Sequence, residues 1–416
     1  MTTDKRSYRI LFLAFLGWFI NFADRQLLGP LLPLIQKDFS LSNTDIGLLA
    51  SAFFIGYSIS PIPGGYLSDR YGHVKILGLS VLGFGFSTFF TGLAGGVVTL
   101  VLIRAITGIF EGSYYSSAVG YVTSVFPKEK RGFASALFST GWTLGSFAGM
   151  IFATASLLDW DVVAAVASIF GDSGIQPLHQ DWRLPWKWML LPTLGIGAAI
   201  LLFMPTIPIN ERASWLEQKE KTRHSLRDVL KIKNAWIIFG LQFIANFGIW
   251  SIATFTPKYL SEVKGFSLVV AGGITAVMFL PGTIGSLVSG AIADKLGRRI
   301  TISIFYVCSG LLWYLVLHAA SPQSALYSIS VAGFFITGLY PVVLAWMTDS
   351  VPSEVVSQAT GFGIMGAELG AFTTPIISGF LADTFNLSFA MNVFIWTYIL
   401  GGLLVWLGNE PGGKKL

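Results

Sequence analysis

Charge is scarce in this sequence: only 12% of its 416 residues are Asp, Glu, Lys or Arg, whereas 53% are hydrophobic. Soluble globular domains carry about 25% charged residues, so this chain lacks the charge needed to cover a water-exposed surface of its size. A single cysteine, Cys308, permits no internal disulfide, and the four histidines lack the spacing of metal ligands. These shortages exclude a soluble enzyme, a disordered chain and a secreted disulfide scaffold, and we expect no metal site.

Long apolar runs follow one another along the chain, and a run of about 20 such residues is long enough to span a bilayer. Only helices and closed barrels pair their backbone groups inside lipid, and these runs lack the alternation of barrel strands. We therefore predict an all-α polytopic membrane protein. Its twelve transmembrane helices are expected at residues 10–35, 45–67, 75–95, 97–124, 132–156, 186–207, 235–260, 267–292, 299–319, 323–349, 357–383 and 387–408.

Lysine and arginine are distributed unevenly over the predicted loops. With both termini in the cytoplasm, 20 basic residues lie on that side and 5 on the other, while Arg25 and Arg104 fall inside apolar runs. The positive-inside rule therefore predicts cytoplasmic termini in an inner or plasma membrane. The same distribution accounts for the net charge of +5, so no nucleic-acid partner is expected.

The two halves of the sequence repeat each other. A shift of 225 residues aligns Asn21-Phe22 with Asn246-Phe247, and Gly141 and Gly145 with Gly366 and Gly370. The offset contains six predicted helices, an even number, so both halves insert with the same orientation. Parallel repeats of this kind are a known transporter design, with the binding site between the halves near the midplane. We predict two six-helix bundles, 1–207 and 235–416, joined by a cytoplasmic linker loop at 208–234.

A loop after the second predicted helix has a copy after the eighth. The copies share their glycine and aspartate spacing and contain Gly65, Asp69, Arg70 and Gly72, and Gly290, Asp294, Gly297 and Arg298. This loop resembles the G-x-L-A-D-R-x-G-R-K motif of the major facilitator superfamily, which implies the major facilitator fold and a gating role for these residues. An aspartate placed near a helix N-terminus stabilises it by about 0.3–1 kcal/mol, enough to favour one conformation.

Charged residues inside apolar spans are costly and usually functional. Five of them fall within three predicted helices, at Asp24, Arg25, Arg104, Glu111 and Glu368. We expect the three helices to line one cavity, with Glu368 a further candidate for proton transfer. Aromatic side chains such as those of Tyr57 and Tyr115 are candidates for lining the same cavity.

The pattern Asn21-Phe22-Ala23-Asp24-Arg25 with Arg104-x6-Glu111 resembles the anion:cation symporter branch, which includes sugar-acid and hexuronate symporters, sialin and the vesicular glutamate transporters. The resemblance implies that Arg25 binds a substrate carboxylate and that Asp24 and Glu111 take part in proton coupling. Arg104 is a further candidate for substrate binding. Where the glutamate transporters have a second arginine, the seventh predicted helix has Asn246 and Trp250. These two residues are candidate substrate contacts, and a dianionic substrate is not favoured.

The function predicted from these residues is proton-coupled symport of a small organic anion, a monocarboxylate or sugar acid, by a monomer in the bilayer. Two alternatives remain open: a lysolipid transporter of the Spinster type, which carries a similar first-helix motif, and a membrane sensor that does not transport. No cofactor is expected, because Gly361-x-Gly363-x-x-Gly366 lies within a membrane span and follows no strand. No catalytic constellation is present, so an enzyme is not predicted.

Overall fold

The computed structural model describes residues 5–167, 177–178, 180–206, 226–352 and 355–410. This part of the chain contains twelve membrane-spanning stretches, numbered here spans 1 to 12 in chain order. They are Lys5–Phe39, Asn43–Ile59 with Pro61–Tyr71, His73–Thr91, Val97–Val125, Glu129–Ser156, Arg183–Phe203, Lys233–Glu262, Leu268–Leu296, Arg298–Leu317, Pro322–Ser350, Gln358–Thr384 and Leu387–Leu407. The twelve predicted helices are confirmed, and we call spans 1–6 the first half and spans 7–12 the second half. The predicted linker loop 208–234 falls largely outside the described residues, and its described part begins with the short helix Leu226–Val229.

Span 1 is broken beside its charged residues. Its first helix, Lys5–Arg25, ends at the charged pair, and its second, Leu28–Phe39, begins after a two-residue turn. Pro30 accounts for the break, because a proline has no N–H to donate to the carbonyl four residues earlier and its ring crowds that carbonyl. That carbonyl belongs to Gln26, which lies in the turn. The proline thus places Asp24 and Arg25 at a helix end inside the protein.

Span 2 is bent by 42° between Asn43–Ile59 and Pro61–Tyr71. Pro61 cannot donate a hydrogen bond to the carbonyl oxygen of Tyr57. The Ser60 hydroxyl donates to that oxygen instead, at 3.2 Å. The bend therefore leaves no unpaired carbonyl at Tyr57, and it directs the second helix toward spans 3 and 4, against which it packs.

The repeat detected in the sequence is visible in the backbone of the two copied loops. Gly72 ends span 2 with φ at 103°, and Gly297 ends span 8 with φ at 90°. Each glycine N–H donates to the carbonyl oxygen four residues earlier, that of Ser68 or Ala293, at 2.9 Å. Positive φ of this kind favours glycine, which explains why both copies carry one at this turn.

The two halves meet along spans drawn from both. Span 2 packs on span 11, span 5 on span 8, and the second helix of span 1 on span 7. The Thr283 hydroxyl donates to that of Thr143 at 2.6 Å, joining span 8 to span 5. At one end of this interface, Asp383 of span 11 accepts hydrogen bonds from Asn43 and Thr44 at the start of span 2. The halves are therefore joined at the Asp383 end.

Candidate transport site

Arg25 and Glu111 form a buried ion pair between spans 1 and 4. The guanidinium donates through Nε and Nη2 to the same oxygen, Oε2 of Glu111, at 3.1 and 2.9 Å. Nη2 also donates to Oδ1 of Asn21 at 3.1 Å. Arg25 is 5% exposed and Glu111 is fully buried. Buried ions are tolerated only when they are paired and hydrogen-bonded, so these contacts hold Arg25 in place.

Four aromatic rings surround the guanidinium of Arg25 and form what we call the aromatic cage. The guanidinium carbon lies 4.2 Å from the ring centre of Phe22, 4.4 Å from Tyr57, 4.7 Å from Phe53 and 5.4 Å from Trp250. Distances below about 6 Å allow cation–π attraction, which strengthens where water is excluded. Because Trp250 belongs to span 7, the cage draws on both halves of the chain, as expected for a site between them.

Asp24 and Arg104 extend this cluster. Asp24 is fully buried, and neither of its carboxylate oxygens has a hydrogen-bond partner among the described residues. Arg104 is its strongest favourable charge neighbour, and the Glu111 carboxyl group lies beside it. The Arg104 guanidinium lies 4.9 Å from the ring centre of Phe53 and 5.3 Å from that of Trp186, so it adjoins the cage from outside. Its Nε and Nη1 also lack partners among the described residues.

The four charges of this cluster have chemical consequences. Asp24 and Glu111 carry two negative charges when ionised, and Arg25 and Arg104 carry two positive ones, so the cluster is neutral. An added carboxylate leaves one uncompensated negative charge in a buried site, which is unfavourable. A proton on either acid cancels that charge and relieves the repulsion between two neighbouring carboxylates. The arrangement therefore suits binding of an anion together with a proton.

The second half contributes polar side chains to the wall opposite Arg25. Asn246 lies one helical turn before Trp250 on span 7, and its Nδ2 donates to the carbonyl oxygen of Gln242 at 3.1 Å. Glu368 of span 11 is partly exposed and interacts electrostatically with Arg25, Tyr57 and Tyr115. The structure thus gathers around one centre the residues that sequence reasoning selected for substrate binding and proton coupling.

The predicted gating residues do not belong to this centre, because they lie at the ends of spans 2 and 8. In the second copy, Arg298 pairs with Asp294 at 2.8 Å and with Asp349 of span 10 at 2.9 Å. In the first copy, the repeat places His73 and Ser124 where the second has Arg298 and Asp349. His73 stacks on Tyr121 with ring centres 5.1 Å apart. The second copy therefore joins spans 8, 9 and 10 through a charged triad.

Sequence reasoning missed three features of these regions. Asn21 fixes both partners of the ion pair, since its Nδ2 also donates to the carbonyl oxygen of Glu111 at 3.3 Å. Its spacing of four residues from Arg25 was an available signal, because residues at this spacing share a helix face. Asp349 and Asp383 were also missed as partners of Arg298 and Thr44, and no local pattern links residues so distant in sequence.

Comparison with known proteins places these features in context. The family model of the Major Facilitator Superfamily matches residues 14–307 and 270–416. The chain is 28% identical to a D-galactonate transporter of Escherichia coli O6:H1, with 97% of this chain and 95% of that protein aligned. It is 26% identical to the cis,cis-muconate transport protein of Acinetobacter baylyi, covering 96% and 94% of the two chains. It is also 26% identical to the hexuronate transporter of Bacillus subtilis, covering 90% and 87%.

Solved structures share the fold. A bacterial homologue of the human lysosomal transporter Spinster, in an inward-facing and occupied conformation, aligns with a TM-score of 0.80 at 19% identity over 97% of both chains. A D-xylose-proton symporter aligns with a TM-score of 0.78 at 20% identity, over 99% of this chain and all of the other. The predicted twelve-helix major facilitator fold is therefore confirmed, as is the predicted kinship with transporters of sugar acids and other organic anions.

Proposed function

Because the chain belongs to the Major Facilitator Superfamily, we propose that it is a secondary transporter that carries a small organic anion together with protons. The observation that carries the proposal is the Arg25–Glu111 ion pair, held inside a cage that both halves build, beside the fully buried carboxyl group of Asp24. A static structural ion pair needs neither a second buried acid nor a position between the halves.

The proposed cycle begins with a proton reaching Glu111 or Asp24. Protonation removes the negative charge of Glu111. It thereby weakens the two hydrogen bonds that the Arg25 guanidinium donates to one oxygen of that carboxyl group. A substrate carboxylate then takes that place, because arginine stays charged and binds a carboxylate through two parallel hydrogen bonds. The neutralised site allows the halves to change their relative orientation and open to the other side. A ligand can shift this equilibrium only as far as it binds one state better.

The proposed substrate is a monocarboxylate or sugar acid. The names of the relatives support this class, since they describe carriers of D-galactonate, cis,cis-muconate and hexuronate. Arg25 is proposed to bind the carboxylate, and Tyr57, Tyr115, Asn246 and Trp250 to contact the rest of the molecule. Arg104 is proposed to balance the charge of Asp24, on which it acts more strongly than Arg25 does.

A lysolipid substrate is the second candidate, because the Spinster homologue shares the fold. At 19% sequence identity, however, the similarity to the Spinster homologue shows a shared fold and not a shared substrate. A lipid carrier would need an apolar opening toward the bilayer and would tolerate the loss of Arg25. The buried charge cluster therefore favours a small anion over a lipid.

The proposed orientation follows from the sequence. With twelve spans the termini lie on one side of the membrane, and 20 basic residues against 5 favour the cytoplasm for that side. Under this orientation the Asp383 end faces outward. We further propose that the chain acts as a monomer, with bundles 1–207 and 235–416 as its moving units.

Uptake into proteoliposomes tests the proposed function. Purified protein is reconstituted and supplied with single radiolabelled organic acids, with and without a pH gradient that is acidic outside. We expect one or more sugar acids or monocarboxylates to accumulate above equilibrium, and a protonophore to abolish the accumulation. Accumulation that ignores the pH gradient, or movement of lysolipid in place of organic acids, would contradict the proposal.

A further inference from the structure

We propose that Glu368 restricts this site to anions that carry one carboxylate and whose far end carries hydroxyl groups. The inference rests on the proposed function, because it assumes that Arg25 binds the substrate carboxylate. It assigns Glu368 a role in substrate selection in place of the proton-coupling role that its depth in the membrane suggested.

The position of Glu368 comes from the packing of span 11. Ala371 is buried in a small cluster with Phe53 and Tyr57, two rings of the aromatic cage. Residues three apart lie on the same face of a helix, so Glu368 occupies that face one turn away from Ala371. The charge interactions agree with this placement, because Arg25 is the cation that acts on Glu368 and Tyr57 is also within electrostatic range.

Glu368 is the most exposed of the three acids near the cage, because Asp24 and Glu111 are both fully buried. Glu111 is paired with Arg25, whereas the Glu368 carboxyl group has no hydrogen bond or ion pair within the part of the chain that the structure describes. It is only partly buried, so its oxygens remain accessible to a ligand. Tyr115 of span 4 and Tyr340 of span 10 are also within its electrostatic range. Glu368 and these tyrosines are therefore candidate contacts for the far end of a molecule bound to Arg25.

Among the described residues of the second half, no lysine or arginine pairs with Glu368 or acts on its charge. The buried lysine of this half, Lys258, lies two helical turns beyond Trp250 and pairs with Glu262. A second carboxylate on the substrate would thus face the Glu368 carboxylate with no further cation beside it, and like charges at short range repel each other. Substrate hydroxyls can instead donate to the Glu368 oxygens and exchange hydrogen bonds with the tyrosines. Repulsion of the wrong ligand is a common source of specificity.

A matched pair of sugar acids tests the inference. D-galactonate and galactarate share a six-carbon chain and its four internal hydroxyls, and they differ at carbon 6, which is a hydroxymethyl group in one and a carboxylate in the other. We expect the reconstituted protein to take up D-galactonate at least about tenfold better than galactarate, a difference of about 1.4 kcal/mol. Glu368→Gln is expected to reduce this ratio to about threefold or less, whereas Glu368→Asp, which keeps the charge, should retain it.

The control is Glu129→Gln, the same change at an exposed acid in the first turn of span 5, which should leave the ratio unchanged. Galactarate uptake equal to that of D-galactonate in the unaltered protein, or an unchanged ratio in Glu368→Gln, overturns the inference. The inference is also overturned if the protein takes up neither sugar acid. In that case, pH-driven uptake of another organic acid would still support the proposed function. Loss of gradient-driven accumulation in Glu368→Gln, with its ratio unchanged, would make Glu368 a coupling acid instead.

Discussion

Arg25 donates two hydrogen bonds to a single oxygen of Glu111. Nε and Nη2 both reach Oε2, and the other oxygen, Oε1, is buried without a hydrogen-bond partner among the described residues. A guanidinium fork matches a carboxylate best when each nitrogen meets its own oxygen. The pair is therefore less than fully satisfied, and a substrate carboxylate able to use both of its oxygens can compete for Arg25.

The first prediction concerns proton coupling at Glu111. Glu111→Gln should act as a permanently protonated acid, because the amide keeps the size of the side chain but cannot ionise. Counterflow of labelled against unlabelled substrate, which needs no net proton movement, should survive in part. Uphill uptake driven by a pH gradient should be lost, and both are measured in proteoliposomes with the same reconstituted protein.

A static ion pair makes a different prediction for the same variant. Glu111→Gln would then lower the yield of folded protein and leave pH-driven transport per folded molecule normal. If the variant accumulates substrate at the wild-type level, Glu111 is not the coupling acid, and Asp24, which is fully buried beside it, becomes the candidate. Asp24→Asn is then the variant to measure.

The second prediction concerns substrate binding by Arg25. Arg25→Lys retains a positive charge but cannot present a planar fork to a carboxylate, and it loses close stacking within the aromatic cage. Hydrogen bonds to charged groups contribute about 1.5–3 kcal/mol each, so we expect roughly a 10- to 100-fold loss of substrate affinity. Counterflow and gradient-driven uptake should both fall by about the same factor at substrate concentrations well below the dissociation constant of the unaltered protein. Substrate binding that survives unchanged would favour the lipid alternative.

The third prediction concerns the loop at the end of span 2. Asp69 lies away from the charge cluster, three residues before the turn at Gly72, so Asp69→Asn should slow transport without weakening substrate binding. We expect turnover to fall at least about fivefold while the equilibrium dissociation constant changes by less than about twofold. The repeat-related change Asp294→Asn removes one of two acidic partners of Arg298 and leaves Asp349, so its effect should be smaller. A tenfold loss of binding with normal turnover would place Asp69 in the substrate site.

The parts of the molecule that could be predicted from sequence depend on local pattern. Helix positions follow from apolar length, and the cluster around Arg25 follows from the cost of charge within a span. The breaks at Pro30 and Pro61 were not predicted, although the missing N–H of each proline is a local signal. Contacts such as that between Asp383 and Asn43 join residues 340 positions apart, so only the packing of the halves reveals them.

The fourth prediction concerns topology. Reporter fusions after Lys221 and after Lys415 should both report a cytoplasmic location, and one after Gly174 an external one. These three positions lie outside the described residues, so the expectation rests on the twelve spans and the distribution of lysine and arginine. Each position is fused in turn to two reporter enzymes, one active only in the cytoplasm and one active only outside it, and the two activities are compared. A fusion that reports the opposite location would contradict the proposed orientation or the number of spans.

The last prediction concerns the contact that closes the Asp383 end. The Asp383 carboxylate accepts hydrogen bonds from the backbone N–H groups of Asn43 and Thr44 at 2.9 and 2.7 Å, and from both of their side chains at 2.8 and 2.6 Å. An anion at a helix N-terminus is also favoured by the helix dipole. Asp383→Asn removes the charge and one acceptor oxygen, so the equilibrium should shift about two- to tenfold toward the state in which this end is open.

Distances between spin labels measure that shift. Labels are placed at Lys37→Cys and Phe385→Cys, two exposed positions of opposite halves, after Cys308 is changed to serine. The matched control is Asp45→Asn, the same change at the same helix start, because the Asp45 carboxylate accepts hydrogen bonds from Ser42 of its own half and, among the described residues, from no residue of the other half. We expect a longer-distance population to grow in Asp383→Asn and not in Asp45→Asn. Equal growth in both variants would mean that fraying of span 2, and not loss of the contact between halves, opens this end.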